Sequence, residues 1–378
     1  MSILNMDMLK ADAAAAAEEP WRIHAQEWSV KRLLEPLDYA QSLLGKRFLE
    51  RGGTLAVVAP SGVGKTVGSV QMAACWSIGR EVFHIKPSAP LRVLVVQNED
   101  TENDTKGPLQ GVIWNCGFNI EDVKLMHANM KVVRLVSLRG LAAAVAIRAL
   151  AIEWKADLVI VNPLMAFTPG KQGEETEVFV REHLQPIATE LNCGVVAIHH
   201  TPKIGRMNGV GTGANEYERQ YNAAGKADVV NAFRAILNIM PVGNGVFKFS
   251  ADKRGRKIGW TWDGQPTIEL YFKHASDPSD GDLVWWMDAT FEEAEQASSA
   301  QAYQDILKVL PDHDAEPICR TRVRDEAKKK IGAGKDKADA WLKLALEDKL
   351  AEKVDALTSS GRKEALFKRA KNVVEVYK

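Results

Sequence analysis

The chain has 378 residues, 46% of them apolar, enough to bury one large core and a second small one. Its 49 lysines and arginines balance 49 acidic residues, so no overall charge points to a partner. No run of eighteen apolar residues and no secretory leader pattern appear, which excludes a membrane span and sets the expectation at the cytoplasm.

The neutral total hides an asymmetry. From Arg320 to Lys378 there are 17 lysines and arginines against 10 acidic residues, while Asp277 to Glu316 holds 11 acidic residues and one lysine. Cys75, Cys116, Cys193 and Cys319 lie far apart with no C-x-x-C, so neither a disulfide framework nor a zinc site is expected.

In chain order, residues 1–29 read as an alanine-rich N-terminal extension. From Trp21 to Phe48 the apolar residues (Trp28, Val30, Leu33, Leu34, Leu37, Leu43, Leu44, Phe48) suit short helices covering a sheet edge.

The strand-like run Leu55-Ala56-Val57-Val58 then enters Ala59-Pro60-Ser61-Gly62-Val63-Gly64-Lys65-Thr66, and a helical segment opens at Val67. This is the spelling of a phosphate-binding loop. Gly62 and Gly64 let successive N–H groups face one anion at a helix N-terminus. Lys65 reaches the β- and γ-phosphates of ATP, and Thr66 offers its hydroxyl to Mg²⁺. Ala59 stands where a first glycine is usual, at a position that closes the turn.

A second apolar run, Leu91 to Val96, ends in Gln97-Asn98-Glu99-Asp100. Strand ends of a parallel sheet share the edge of the phosphate loop, so Glu99 is the candidate for orienting and deprotonating the attacking water. A helix pattern from Leu138 to Trp154 leads to Asp157-Leu158-Val159-Ile160-Val161-Asn162. The end of this strand normally carries an aspartate for the magnesium shell, and here it carries Asn162. Either Asp100 or Glu99 compensates, or ATP is bound and turned over slowly.

The strand Gly194 to Ile198 ends in His199-His200-Thr201-Pro202-Lys203, where a polar residue can touch the γ-phosphate. Ile204 to Gln220 is glycine-rich and nearly devoid of apolar residues, a loop. Val246 to Ala251 runs into Asp252-Lys253-Arg254-Gly255-Arg256-Lys257, four cations in five residues and a phosphate or nucleic-acid signal. Trp260, Trp262, Trp285 and Trp286 lie in alternating stretches and are expected in the core. From Ala300 three helices and a short hairpin follow, the order of a winged helix.

Together the loop A-P-S-G-V-G-K-T, the strand ending N-E-D, V-I-V-N-P-L-M-A-F, I-H-H-T-P-K, Y-N-A-A-G-K-A-D-V-V-N-A-F-R and K-R-G-R-K-I-G-W resemble the RecA-like ATPases related to the RepA plasmid replicative helicase. The resemblance covers about residues 30–275. It implies a hexamer-forming ATPase that hydrolyses ATP at subunit interfaces and moves on single-stranded DNA. It also implies a sensor role for His200 and a catalytic role for Glu99, with Lys253 and Arg254 reaching the γ-phosphate of the neighbouring subunit. In a ring of such cores the loop carrying Lys203, Arg206 and Arg219 would face the pore and bind DNA.

The expected organisation is an α/β chain in four parts. Residues 1–29 form an extension and 30–290 a RecA-like ATPase domain with a mostly parallel sheet flanked by helices. An acidic linker and first helix follow at 291–318, then a basic winged-helix-like domain at 319–378. The leading function is a ring-forming motor, with replication proteins as further partners through the C-terminal domain. The alternative is an ATP-dependent DNA-binding switch or loader that recruits replication proteins. A metabolic kinase is disfavoured, since Lys253, Arg254 and the glycine-rich loop have no obvious role in one.

Overall fold

The computed structural model describes residues 28–170, 174–201, 229, 231–357 and 363–371. Residues 28–39 belong to a unit of their own, whose short helix Val30–Leu33 is capped by the Ser29 hydroxyl. Trp28, Val30, Leu33, Leu34 and Leu37 of this unit are exposed, and in the body Leu43, Leu44 and Phe48 are fully buried.

The body is built on nine strands: β1 Thr54–Pro60, β2 Val93–Gln97, β3 Met130–Arg134, β4 Leu158–Asn162, β5 Gly194–Thr201, β6 Ala235–Gly243, β7 Val246–Ala251, β8 Glu269–Asp277 and β9 Asp280–Ala289. Their order across the sheet is β9-β8-β7-β6-β1-β5-β4-β2-β3. The six from β6 to β3 are parallel, and β7, β8 and β9 are added antiparallel. This is an α/β fold with a large, mostly parallel sheet flanked by helices, as a RecA-like core has.

The central strands are apolar throughout because both faces are covered. In β1, Leu55, Val57 and Ala59 enter one core, and Ala56 and Val58 enter the other. The first core holds Met72, Ala73 and Trp76 of helix α1 (Lys65–Ser77), which follows β1. Helices α2 (Glu102–Asn115) and α3 (Ile120–Asn129) join β2 to β3, and α4 (Gly140–Trp154) joins β3 to β4. In α4 the small residues Ala143, Ala144 and Ala151 face inward with Ile147, while Leu141, Val145 and Ile152 are exposed. The apolar period therefore predicted the helix but not its buried face.

Of the late tryptophans, Trp260 and Trp286 are core. Trp262 is 40% exposed, a correction to the expectation. It lies in a two-residue strand, Thr261–Trp262, that pairs only with Gln265–Pro266. Among the described residues no helix is long and apolar enough to cross a membrane, and Cys75, Cys116, Cys193 and Cys319 are free thiols.

The acidic stretch is mostly ordered structure. Strand β9 takes its first part, and helix α5 (Phe291–Val309) opens at Thr290 with a reciprocal cap from Glu293. Ala294 and Ala297 of α5 pack with Val246 and Ala289 of the sheet. Its far end, Ile306 and Val309, enters a separate core with Val323, Leu342 and Phe367. Around that core stand β10 (Ile318–Cys319), α6 (Arg320–Ile331), α7 (Lys335–Glu347), β11 (Ala351–Leu357) and β12 (Lys363–Arg369). Their three strands run β10-β12-β11, all antiparallel.

Candidate nucleotide site

Strand β1 delivers the loop and α1 receives it. Gly64 caps the helix with φ +73°, and a Cβ there would fall 2.5 Å from His274 Nε2, so glycine is required on both counts. The first turn of α1 holds no acidic residue and its cap uses no side chain, which leaves the amide N–H groups to an anion. Lys65 is buried, and its ammonium donates to the carbonyls of Ala59 (3.1 Å) and Pro60. Burial brings its pKa down to about 8, against the opposing pull of Glu99. A triphosphate would restore the charge that burial disfavours.

Glu99 and Asp100 sit on a turn fixed from both sides. Gln97 Nε2 donates to Thr105 Oγ1 (3.0 Å) and Asn98 Nδ2 to the carbonyl of Leu135 (2.5 Å). Thr101 and Asp104 form a reciprocal cap on α2. Glu99 remains exposed, near enough for its charge to act on Lys65. Asp100 Oδ2 accepts a hydrogen bond from Thr66 Oγ1 at 3.2 Å. Burial raises the Asp100 pKa, and the Thr66 bond counteracts it.

Asn162 ends β4, buried, and its Nδ2 donates to Ser69 Oγ at 3.3 Å. Ser69 Oγ donates in turn to the carbonyl of Thr66 at 2.8 Å. The amide thus braces the second turn of α1, while the Thr66 hydroxyl is engaged by Asp100. His200 lies on β5 directly beside Ala59 in the parallel register. Burial and then the nearby Lys65 push its pKa down to about 4, so the imidazole is neutral at physiological pH. Lys65, Thr66, Glu99, Asp100, Asn162 and His200 therefore share one sheet edge.

Lys253 and Arg254 do not join them. Strand β6 runs beside β1 from Leu55↔Ala235 to Val58↔Asn238, and β7 returns antiparallel, ending with Ala251 opposite Leu237. The two cations follow that end and lie on the opposite edge from the chain's own phosphate loop. Arg254 pairs with Glu50 at 2.5 Å, and Arg47 pairs with the same carboxylate at 2.6 Å. Burial alone would raise Glu50, but its hydrogen bonds from Arg254 and Arg47 hold it below the usual range. Lys253 Nζ donates to the carbonyl of Asn231 at 3.3 Å. Lys203, Arg206 and Arg219, and with them the glycine-rich loop, lie outside the described residues.

One support of the site is announced by no motif. The β8–β9 hairpin backs the phosphate loop: Trp286 Nε1 donates to the carbonyl of Gly64 (3.3 Å), and His274 hydrogen-bonds the Val63 backbone. The His274 ring lies 4.0 Å from that of Trp286. Gln71 of α1 exchanges two hydrogen bonds with the Trp286 backbone, at 2.7 and 2.9 Å. Gly111 of α2 permits the close approach, since a Cβ there would fall 2.8 Å from the Val284 backbone. The partners of the Gly64 and Gln71 bonds lie more than two hundred positions away, beyond the reach of any local pattern.

Among the described residues, no group of three or more His, Cys, Asp or Glu side chains could hold a metal on its own. A hydroxyl and a carboxylate beside a phosphate loop do fit magnesium, which takes one or two protein oxygens and relies on phosphates and water for the rest. Strand order, phosphate loop and acidic turn together define a nucleotide-hydrolysing P-loop ATPase. A family model described as an AAA domain matches residues 17–206, about half of the chain. The chain belongs to that family. No curated protein matches it.

Proposed function

We propose that this ATPase assembles into a ring, expected to be a hexamer, and moves on single-stranded DNA as a replicative helicase of a plasmid, phage or mobile element. The observation that carries the reading is the location of Lys253 and Arg254. On the sheet edge away from their own phosphate loop, they can serve a γ-phosphate only on another copy. The resemblance to RepA-type helicases and the basic C-terminal unit support DNA as the track. The order α5-β10-α6-α7-β11-β12 supports reading this unit as a winged helix, a fold that binds nucleic acid or docks proteins, here replication proteins.

The residues divide the work by position. Lys65 and the α1 N-terminus bind and neutralise the β- and γ-phosphates. Magnesium, bound with the nucleotide, supplies further neutralisation of that charge. Glu99 orients the attacking water and takes its proton, and the neutral His200 hydrogen-bonds the γ-phosphate and reports its loss. One specific observation favours the switch or loader as a second reading: an amide, Asn162, where the strand end would carry a charge, which suits slow turnover.

ATPase rates with and without single-stranded DNA separate the two readings. A motor is stimulated severalfold or more by DNA, and a loader stays slow with DNA bound. Replacing Lys203, Arg206 and Arg219 together with alanine should weaken DNA binding and reduce its salt slope by about one unit for each phosphate no longer neutralised. An unchanged slope would move the DNA site to the C-terminal unit.

A further inference from the structure

We infer that Asp100, and not the residue at the end of β4, is the carboxylate of the magnesium shell in this ATPase. The inference rests on the ATPase reading and names which side chain holds the ion. In a phosphate loop the threonine hydroxyl must present a lone pair to the cation, so its proton has to be donated elsewhere. Thr66 already donates it to Asp100 Oδ2. The hydroxyl is thereby polarised toward the metal before any nucleotide arrives, and the carboxylate that accepts the proton stands beside the ion's place.

Asn162 cannot take that part as it stands. Its amide donates to Ser69, and Ser69 donates to the Thr66 carbonyl. That chain of bonds holds the backbone of α1 from behind and leaves the Thr66 side chain to Asp100. An aspartate at 162 would put an acceptor against Ser69, whose own proton is already donated. Glu99 is the other carboxylate on the turn, but it lies exposed and its charge acts on Lys65. Asp100 is also the better fixed of the two, half-buried and held by the hydrogen bond from Thr66. The turn after β2 can serve the same place as the end of β4, for the two strands are adjacent and in register from Val93↔Leu158 to Gln97↔Asn162.

The test measures binding rather than turnover. A fluorescent ATP analogue is bound to the full chain in EDTA, and Mg²⁺ is then titrated at saturating analogue while the signal of the ternary complex is followed. Asp100→Asn should retain EDTA binding, which shows that it folds, and should need at least about tenfold more Mg²⁺ for half-saturation, the range for losing a group that orients a metal ligand. Asn162→Ala and Asn162→Asp should stay within about twofold of the parent. The inference is overturned if Asp100→Asn keeps the parental half-saturation point, or if Asn162→Asp tightens Mg²⁺ severalfold. A parent chain that binds no analogue at all would instead defeat the ATPase reading.

Discussion

The two edges of the central sheet treat their charges in opposite ways. At the edge where the parallel strands begin, charges are used on one another. Arg51 pairs with Asp157 at 2.6 Å, the other oxygen of Asp157 accepts from the Arg92 backbone at 2.9 Å, and Glu50 is shared by Arg47 and Arg254. At the edge where they end, Lys65 is held by backbone carbonyls and kept off Glu99, and no ion pair forms between them. Opposite charges that close on each other carry structure. Charges held apart in a half-buried edge are costly, as the lowered pKa of Lys65 records, and that cost is recovered when a ligand arrives.

The largest effect that could break this contrast belongs to Lys65. Lys65→Ala should abolish nucleotide-dependent turnover and leave the melting temperature within a few degrees of the parent, because the cation serves a ligand. Wild-type turnover in that variant would remove the site assignment. Behind the loop, Trp286 is fully buried and bonded to Gly64, so Trp286→Ala should cost about 3–5 kcal/mol in a denaturant titration and weaken ATP binding as well. A loss of stability with unchanged ATP affinity would show that the hairpin does not shape the loop.

Proton linkage sharpens the contrast further. In the free protein Lys65 is half neutral near pH 8, whereas bound phosphates keep it charged, so ATP binding takes up a proton above that pH. Affinity should be flat below pH 8 and fall by up to about tenfold per unit above it. Calorimetric titrations between pH 7 and 9.5 would read this, and a curve flat to pH 9.5 would contradict the buried placement of the ammonium. The smallest effect is expected at the opposite edge. Glu50→Gln should lower stability by about 1–2 kcal/mol, as expected for a partly buried ion pair, and leave ATP affinity unchanged.

The nucleotide edge was legible because its signals are local. A fully apolar strand, two glycines and G-K-T specify the loop within twelve residues, and the strand ends carrying Glu99, Asn162 and His200 follow from the apolar runs before them. What was not legible depends on direction and distance. Four cations after a strand read as a phosphate signal, but the antiparallel return of β7, which carries them away from the loop, is a matter of pairing. The β8–β9 hairpin behind the loop is set by packing between distant residues. Helix α5 did carry a local mark, Thr290 followed by Glu293, which its acidic composition obscured. In α4, alanine packs inward with Ile147 while Leu141, Val145 and Ile152 face outward, so the apolar run located the helix without showing its buried face.

If the charges of the two edges meet between copies in a ring, the most direct measurement mixes subunits that each lack one edge. Arg254→Ala removes the far-edge cation and Glu99→Gln the near-edge carboxylate, each expected to lower the ATPase rate about a thousandfold or more. Mixed together at several ratios, they form some interfaces with an intact Glu99 on one subunit and an intact Arg254 on the next, and the rate should rise well above both parents. A rate that stays at or below the parents at every ratio would contradict the account, leaving Arg254 as nothing more than the partner of Glu50.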